Sequence, residues 1–205
     1  MHADQVAALR ALLAPTGWVE RTAGFARALR RSARGGLLLF GPQDAEPWHM
    51  TAHLDDESRL ADIPELAPTL VRWSPPPGAP PHLSVGLDRL RTAARDETLL
   101  VVSQPLASPE LLERIHDVRR IGVTVFALDT GDPELDGLAH ESLPVPAETA
   151  PVSFAAAQHL VSSAVADEGT GAAGGRHRPG GHRRDDGLRT KLARLLDAVS
   201  GSAPD

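Results

Sequence analysis

The chain has 205 residues, of which 41% are hydrophobic, carries a formal net charge of −6 and contains no cysteine. This length fits one medium-sized domain with an appendage, and the acidic balance makes nucleic acid an unlikely main partner. The lack of cysteine excludes disulfide bonds, thiolate zinc sites and cysteine nucleophiles. No apolar stretch approaches the roughly 20 residues of a membrane helix, and the N-terminus lacks the apolar core of a signal peptide. We therefore expect a cytoplasmic protein with no membrane partner.

Two helices are predicted at the N-terminus, within residues 4–31. The first covers 4–13, with Asp4 as its N-cap, and the second covers 19–31. In the second helix Phe25 and Leu29 fall on the same face as the preceding Trp18. This one-sided pattern predicts a helix that packs on a core.

Short apolar runs then alternate with one-sided helical patterns. The predicted strands are 37–40, 69–73, 98–102, 123–128 and 142–145. One helix is predicted to start at 48, and three others are predicted over 85–95, 109–120 and 154–165. Continuous apolar strands joined by helices are typical of a parallel sheet covered on both faces. We expect an α/β fold over residues 1–165: a three-layer α-β-α sandwich with a five-stranded parallel sheet.

Ligands of such sheets bind at the carboxyl ends of the strands, so the loops 103–108 and 129–133 are the first places to search. The loop after the first strand, 41–47, begins with Gly41 and leads to a helix start, a geometry that offers backbone N–H groups to a phosphate. Its two prolines and two acidic residues nevertheless make it a poor site for an anion. It is not a P-loop, because the lysine and the second glycine are missing.

His49 and His53 lie four residues apart in the helical segment that starts at Trp48, with three acidic residues just beyond them. This spacing can present two imidazoles to one metal ion. The HExxH arrangement is absent, however, because Met50 stands where the glutamate belongs. We favour an amphipathic helix whose polar residues face a cleft or a partner, and we assign no metal site and no cofactor.

The C-terminal part has a different composition. Residues 166–187 are rich in Gly, Arg, His and Asp and nearly lack apolar residues, which predicts a disordered linker. A short basic cluster within it would suit non-specific contact with a polyanion, although two aspartates offset part of its charge. The last pattern, 188–200, predicts an amphipathic helix that either packs on the domain or binds a protein partner.

The order of these elements resembles the sugar isomerase (SIS) domain, a phosphosugar-binding α/β domain of flavodoxin-like topology. The resemblance covers residues 4–165 and is strongest in 122–128 and in 138–146, which ends in Val-Pro as the family's last strand does. The closest subgroup is that of the bacterial sedoheptulose 7-phosphate (phosphoheptose) isomerases, whose acidic helix after the first strand is similar to 52–57. The resemblance implies a homodimer.

The resemblance also implies where a sugar phosphate or other small anion would bind. The family's Ser/Thr-rich loop corresponds to 103–108, and its Gly-rich loop corresponds to the start of 41–47. The implied ligand-binding residues are Gly41, Gln43, Ser103, Gln104 and Ser108. Pro105 stands at the position of the family's second serine, and Leu106 stands at the position of its glycine. The loop therefore lacks one backbone N–H donor, and the Leu106 side chain blocks the close approach of a ligand to the backbone that glycine would allow.

In the heptose isomerases a glutamate on the helix after the first strand and a histidine on the last helix move protons between C1 and C2. Glu57 stands at the glutamate position, and His159 is the candidate histidine if the helix register differs, since the family's catalytic histidine falls near Ala164. Both members of an acid–base pair must reach the substrate. We therefore expect a phosphosugar-binding domain of SIS type that is non-catalytic and has a regulatory or scaffold role.

Two alternatives stay open. An active phosphosugar isomerase predicts a concave site where Glu57 and His159 approach each other. A flavodoxin-like interaction domain would work through the helix 188–200. Within the preferred hypothesis, a binding module predicts free backbone amides in 103–108, whereas a pure scaffold predicts that Pro105 and Leu106 fill the pocket.

Overall fold

The computed structural model describes residues 17–150 and 152–167. The helices are α1 (Trp18–Ser32), α2 (Trp48–Ala61), α3 (Asp88–Arg91), α4 (Pro109–Ile121), α5 (Pro133–Leu138) and α6 (Phe154–Asp167). The strands are β1 (Leu37–Phe40), β2 (Pro68–Leu70), β3 (Thr98–Ser103), β4 (Thr124–Asp129) and β5 (Glu141–Pro144). Three short 3-10 helices cover Ala33–Gly35, Pro64–Leu66 and Pro81–Leu83. In the part of the chain that is described, no helix has the length and apolar character needed to cross a membrane.

Three predictions concern residues beyond these limits. The helix at 4–13, the linker 166–187 apart from its first two residues, and the helix 188–200 lie outside the described residues.

The five strands form one parallel sheet in the order β2-β1-β3-β4-β5. Every residue of β1 and β3, the two strands at its centre, is buried, as the continuous apolar runs predicted. The chain moves outward in one direction from β1 to β2 and in the other from β3 to β5. The point between β1 and β3 is therefore the topological switch point, where open parallel sheets bind their ligands.

Alternate residues of each strand point to opposite faces and build two separate cores. Leu37 and Leu39 belong to the core that α1, α2 and α6 cover, in which Phe25 meets Phe126 edge to face at 5.4 Å between ring centroids. Leu38 and Phe40 belong to the core that α3, α4 and α5 cover. The predicted three-layer α/β sandwich is confirmed.

Local signals fix the ends of α4. The hydroxyl oxygen of Ser108, the N-cap residue, accepts a hydrogen bond from the Leu111 amide at 3.3 Å, and Pro109 occupies the first turn. Gly122 ends the helix in the left-handed region, with φ of 102°. The prediction of 109–120 came within one residue because these signals are local.

The helix predicted over 85–95 is wrong in extent, because only Asp88–Arg91 is α-helical. The Arg72 amide donates to the Val85 carbonyl at 2.9 Å, and Arg72 pairs with Gly86 in an isolated parallel bridge. This pairing holds 85–86 in an extended conformation, and glycine is a weak helix former. The same pairing explains why the predicted strand 69–73 is regular only over Pro68–Leu70.

Candidate functional site

The loops after β1 and β3 meet in close backbone contact at the switch point. A Cβ atom on Gly41 would lie 2.6 Å from the Val102 carbonyl oxygen and 3.0 Å from Cδ of Pro47. Only glycine allows this approach. Gly41 is itself buried, whereas the neighbouring Gln43, also predicted to bind ligand, is exposed.

The β1 loop is held closed by its own carboxylate. Glu46 accepts hydrogen bonds from Nε of Arg72 at 2.8 Å and from the Trp73 amide at 3.2 Å. The Trp73 indole donates to the Gly41 carbonyl at 2.8 Å, and the Arg72 guanidinium lies 4.6 Å above the Trp48 ring. The positive charge of Arg72 is therefore already paired with the carboxylate of Glu46.

In the β3 loop the two predicted hydroxyls are engaged internally. Ser103 is fully buried and donates to the Pro105 carbonyl at 2.7 Å. Ser108 is exposed, and its hydroxyl oxygen caps α4. The Ser103 hydroxyl must give up its bond to Pro105 before it can donate to a ligand, whereas the cap bond of Ser108 occupies an acceptor position and does not use its O–H.

The backbone of the same loop is different. The amides of Gln104, Leu106 and Ser108 make no hydrogen bond to any residue in the described ranges, and all three residues are exposed. The Leu106 side chain is 72% exposed, so it does not fill a pocket. Three backbone donors therefore point away from the chain's own acceptors, next to the N-terminus of α4.

A carboxylate already interacts with this helix end. Glu110 lies in the first turn of α4, where its own backbone amide, and then the Ser108 hydroxyl, lower the pKa of its carboxyl group. A negative charge is thus favoured here, as expected at a helix N-terminus. An external anion would have to share this position with Glu110.

The loop after β4 supports the β3 loop. Asp132 accepts a hydrogen bond from the Ala107 amide at 2.7 Å, and the Thr130 hydroxyl donates to the Gln104 carbonyl at 2.9 Å. Asp129, which is 1% exposed, holds the turn by accepting from the amides of Gly131 and Asp132. Burial raises the pKa of Asp129. This loop therefore shapes the candidate site rather than offering donors to a ligand.

A second group of polar side chains lies between α2 and α6. His49 and His53 occupy one face of α2, and His159 comes from α6, which packs beside it on the same side of the sheet. The ring centroids are 4.5 Å apart for His49–His53, 4.7 Å for His49–His159 and 3.9 Å for His53–His159. One ring nitrogen from each histidine can be chosen so that all three lie within 4.8 Å of one another.

The environment of His159 disfavours its protonated form. Burial, and then the positive charge that His53 and His49 would carry, lowers the pKa of His159 to about 4. At neutral pH the His159 imidazole is therefore uncharged, with a lone pair on one nitrogen. His49 is exposed, and His53 and His159 are half-buried.

The structure places His159, one of the two predicted catalytic residues, against His53 and His49. Glu57 is half-buried and lies one turn beyond His53 on the same face of α2. The spacing of His49 and His53 was noticed in the sequence as a two-imidazole pattern. The third imidazole was not connected to it, because only the packing of α2 beside α6 brings it there.

Comparisons with known proteins bear on the fold. No protein-family model and no curated protein matches this sequence. Among solved structures, a candidate phosphosugar isomerase from Silicibacter pomeroyi matches with a TM-score of 0.56 and 18% identity over 95% of this chain and 53% of its own. Another, from Salmonella typhimurium, matches with a TM-score of 0.51 and 12% identity over 88% of this chain and 51% of its own.

The chain shares its fold with these two proteins. It spans about half the length of each. At these identities the likeness concerns the fold alone, and it agrees with the α/β sandwich expected from the sequence. The closer resemblance to the phosphoheptose isomerases stays a prediction.

Proposed function

We propose that the chain is a carbohydrate-derivative binding domain of SIS type, which binds a phosphorylated sugar or a related anion at the loop 103–108 without isomerase chemistry. The observation that carries this proposal is that the amides of three exposed residues, Gln104, Leu106 and Ser108, have no hydrogen-bond partner in the described ranges at the carboxyl end of β3. The two structures that share the fold are candidate phosphosugar isomerases, which supports the ligand class.

The chemistry of the loop suits a phosphate. Phosphate oxygens accept several hydrogen bonds at once, and backbone N–H groups beside a helix N-terminus are a common anion site. The positive end of the α4 dipole adds a favourable field, and Glu110 already exploits it within the chain. Ser108 would contribute its hydroxyl by turning from Glu110 to the ligand.

The non-catalytic part of the proposal rests on the histidines. Isomerisation needs a group that takes up and returns a proton near the operating pH. His159, with its pKa lowered to about 4, is a weak proton acceptor and is not protonated at neutral pH. Its ring contacts are with two other histidines, a poor setting for an acid–base pair with Glu57. A regulatory or scaffold role in a homodimer fits these observations.

A binding experiment with matched variants tests the site. Leu106→Pro removes one of the three N–H donors, whereas Leu106→Ala removes only an exposed side chain and keeps the donor. Calorimetry with sugar phosphates should show weaker binding for Leu106→Pro, by about tenfold or 1.4 kcal/mol for a lost bond to a charged group, and unchanged binding for Leu106→Ala. Thermal unfolding of both variants without ligand controls for damage to the fold.

Two results would overturn the proposal. If no sugar phosphate raises the melting temperature of the wild-type protein, anion binding is refuted, because a ligand at 100 times its Kd adds about 2.7 kcal/mol of stability. Turnover of a heptose phosphate that is lost in Glu57→Gln would refute the non-catalytic role. Light scattering of the same preparation tests the expected homodimer.

A further inference from the structure

A cleft beside α4 carries an inference that is independent of the anion loop. It has a volume of about 590 Å³ and lies between α3 and the C-terminal half of α4, on the face of the sheet opposite to α1, α2 and α6. We propose that this cleft binds a small amphiphilic anion, which is an organic molecule with an apolar body and one carboxylate or phosphate group.

The cleft exists because α3 is short. Only Asp88–Arg91 of the predicted helix 85–95 is α-helical. The interaction with Arg72 keeps Val85 and Gly86 extended, so the helix cannot begin earlier. A single turn covers less of α4 than the expected three turns would. Part of the flank of α4 therefore faces an open space instead of a neighbouring helix.

The lining of the cleft has the mixed character of a small-molecule site. Four apolar side chains form one part of it, among them the half-buried Leu87 and Ile121, which pack against the core on this face. Three arginines and two aspartates form the other part. Pockets for small ligands commonly have a volume of about 300–1,000 Å³ and combine an apolar surface with a few polar groups. The cleft agrees with this description in both size and chemistry.

Two of the three arginines have no partner among the described residues. Neither Arg114 nor Arg120 makes a hydrogen bond or an ion pair with that part of the chain, and Nε of Arg114 is shielded from solvent without an acceptor. The third, Arg91, has a 3.4 Å contact with the exposed Asp88. The half-buried Arg114 thus lacks the acceptors that usually accompany a buried donor, and the oxygens of a ligand would supply them.

The position of Arg114 along α4 sets it apart from the other arginines of the helix. Arg119 and Arg120 lie in the last turn, where the helix dipole favours a positive charge. Arg114 lies in the middle of the helix, so the dipole does not account for it. A guanidinium presents a planar fork of donors that matches a carboxylate or a phosphate. We therefore assign the charged group of the ligand to Arg114.

The aspartates limit the charge that the cleft accepts. Asp117 lines the cleft one turn after Arg114, and it has no partner in the described ranges. Its carboxylate repels negative charge, so a ligand with one anionic group is favoured over a polyanion. The rest of the ligand gains by covering Leu87 and Ile121.

Fluorescence titration of the full chain with two matched dyes tests the proposal. Anilinonaphthalene sulfonate is an amphiphilic anion, and phenylnaphthylamine has the same rings without the sulfonate. We expect one equivalent of the anionic dye to bind about tenfold more tightly than the neutral dye, because only the anion bonds to a charged group. Phenyl phosphate and benzoate should compete with it, and the stronger competitor identifies the preferred charged group. Inorganic phosphate, which has no apolar body, should compete poorly.

Substitutions in the cleft should shift the affinity in opposite directions. Arg114→Gln should weaken binding of the anionic dye by about tenfold and leave binding of the neutral dye nearly unchanged. Asp117→Asn should strengthen binding of the anionic dye, because it removes a repelling charge. Arg34→Gln, which removes an exposed arginine outside the cleft, should change neither affinity. Circular dichroism and thermal unfolding verify that each variant is folded.

The proposal is overturned if the two dyes bind equally well, or if Arg114→Gln and Asp117→Asn both bind the anionic dye as the wild type does. It is also overturned if inorganic phosphate competes as well as phenyl phosphate, or if neither phenyl phosphate nor benzoate competes. Leu106→Pro, the variant that tests the anion loop, should bind the anionic dye normally, and loss of binding there would place the dye at that loop instead. Failure of one proposal is therefore distinguishable from failure of the other.

Discussion

The imidazole of His159 packs against that of His53, with 3.9 Å between the ring centroids. The two side chains reach this position because α2 and α6 each begin after the carboxyl end of a strand and cover the same face of the sheet. Their contact places a pair of titratable groups between the two helices. The domain thus has two polar features with separate chemistry.

The stability of the protein should fall as the pH drops below neutrality. The pKa of His159 is about 4 in the folded chain and about 6.5 when unfolded, so the unfolded state binds its proton first. The stabilisation from neutral His159 is fully present above about pH 6.5 and is lost progressively towards pH 4. Urea unfolding at pH 7.5 and 5.5 measures the difference in the free energy of unfolding.

His159→Gln should reduce this pH dependence, because glutamine does not titrate. His116→Gln, at an exposed position of α4, should retain the wild-type dependence. Equal slopes for all three proteins between these pH values would contradict the assignment to His159.

Glu110→Gln should strengthen the binding of a sugar phosphate. It removes the carboxylate that now interacts with the Ser108 hydroxyl and the N-terminus of α4. The positive end of the helix dipole would then act on the ligand alone, so the affinity should rise. Calorimetry measures the affinity. Glu113→Gln, one turn closer to the middle of α4, should change the affinity less. Weaker binding in Glu110→Gln would count against the anion site.

Gly41→Ala should destabilise the fold strongly. The added methyl group would lie 2.6 Å from the Val102 carbonyl oxygen, and overpacking of this kind costs about 1–3 kcal/mol or more. Gly137→Ala is the matched control, since a Cβ there meets nothing within 4 Å and alanine favours α5 by about 0.5–1 kcal/mol. Urea unfolding compares the two variants. Similar free energies of unfolding would show that the contact with the Val102 carbonyl tolerates a side chain at position 41.

Glu46→Ala should be much more harmful than Asp55→Ala, although each removes one partner of an ion pair. The side chains of Glu46 and Arg72 are 9% and 17% exposed, and removing one partner of a buried pair costs about 3–5 kcal/mol. Those of Asp55 and Arg59 are 37% and 73% exposed, and such surface pairs contribute about 0–1 kcal/mol. Equal free energies of unfolding for the two variants would contradict the role given to Glu46.

The sequence predicted most of the described fold because its signals are local. The run 37–40 is β1, and Ser108, Pro109 and Gly122 mark the ends of α4. The helix over 85–95 was wrong because an interaction with Arg72, distant in sequence, holds Val85 and Gly86 in an extended conformation. Local propensity cannot anticipate a contact of this kind.

The candidate sites were predictable to different degrees. Free amides in 103–108 were expected of a binding module, because the loop follows a parallel strand and precedes a helix. The engagement of Ser103 with Pro105, and of Glu46 with Arg72, depends on side-chain geometry that spacing does not encode. The same limit applies to the meeting of His159 with the two histidines of α2.

The closed β1 loop has a consequence for selectivity. Glu46 ties that loop to Arg72 and Trp73, so the charge of Arg72 is offset and the Trp73 indole is bonded to Gly41 before any ligand arrives. A ligand that docks at 103–108 would be held through its charged end and would gain little from these two side chains. Discrimination between epimers or chain lengths would be weak, and the domain would respond to a whole class of phosphorylated compounds.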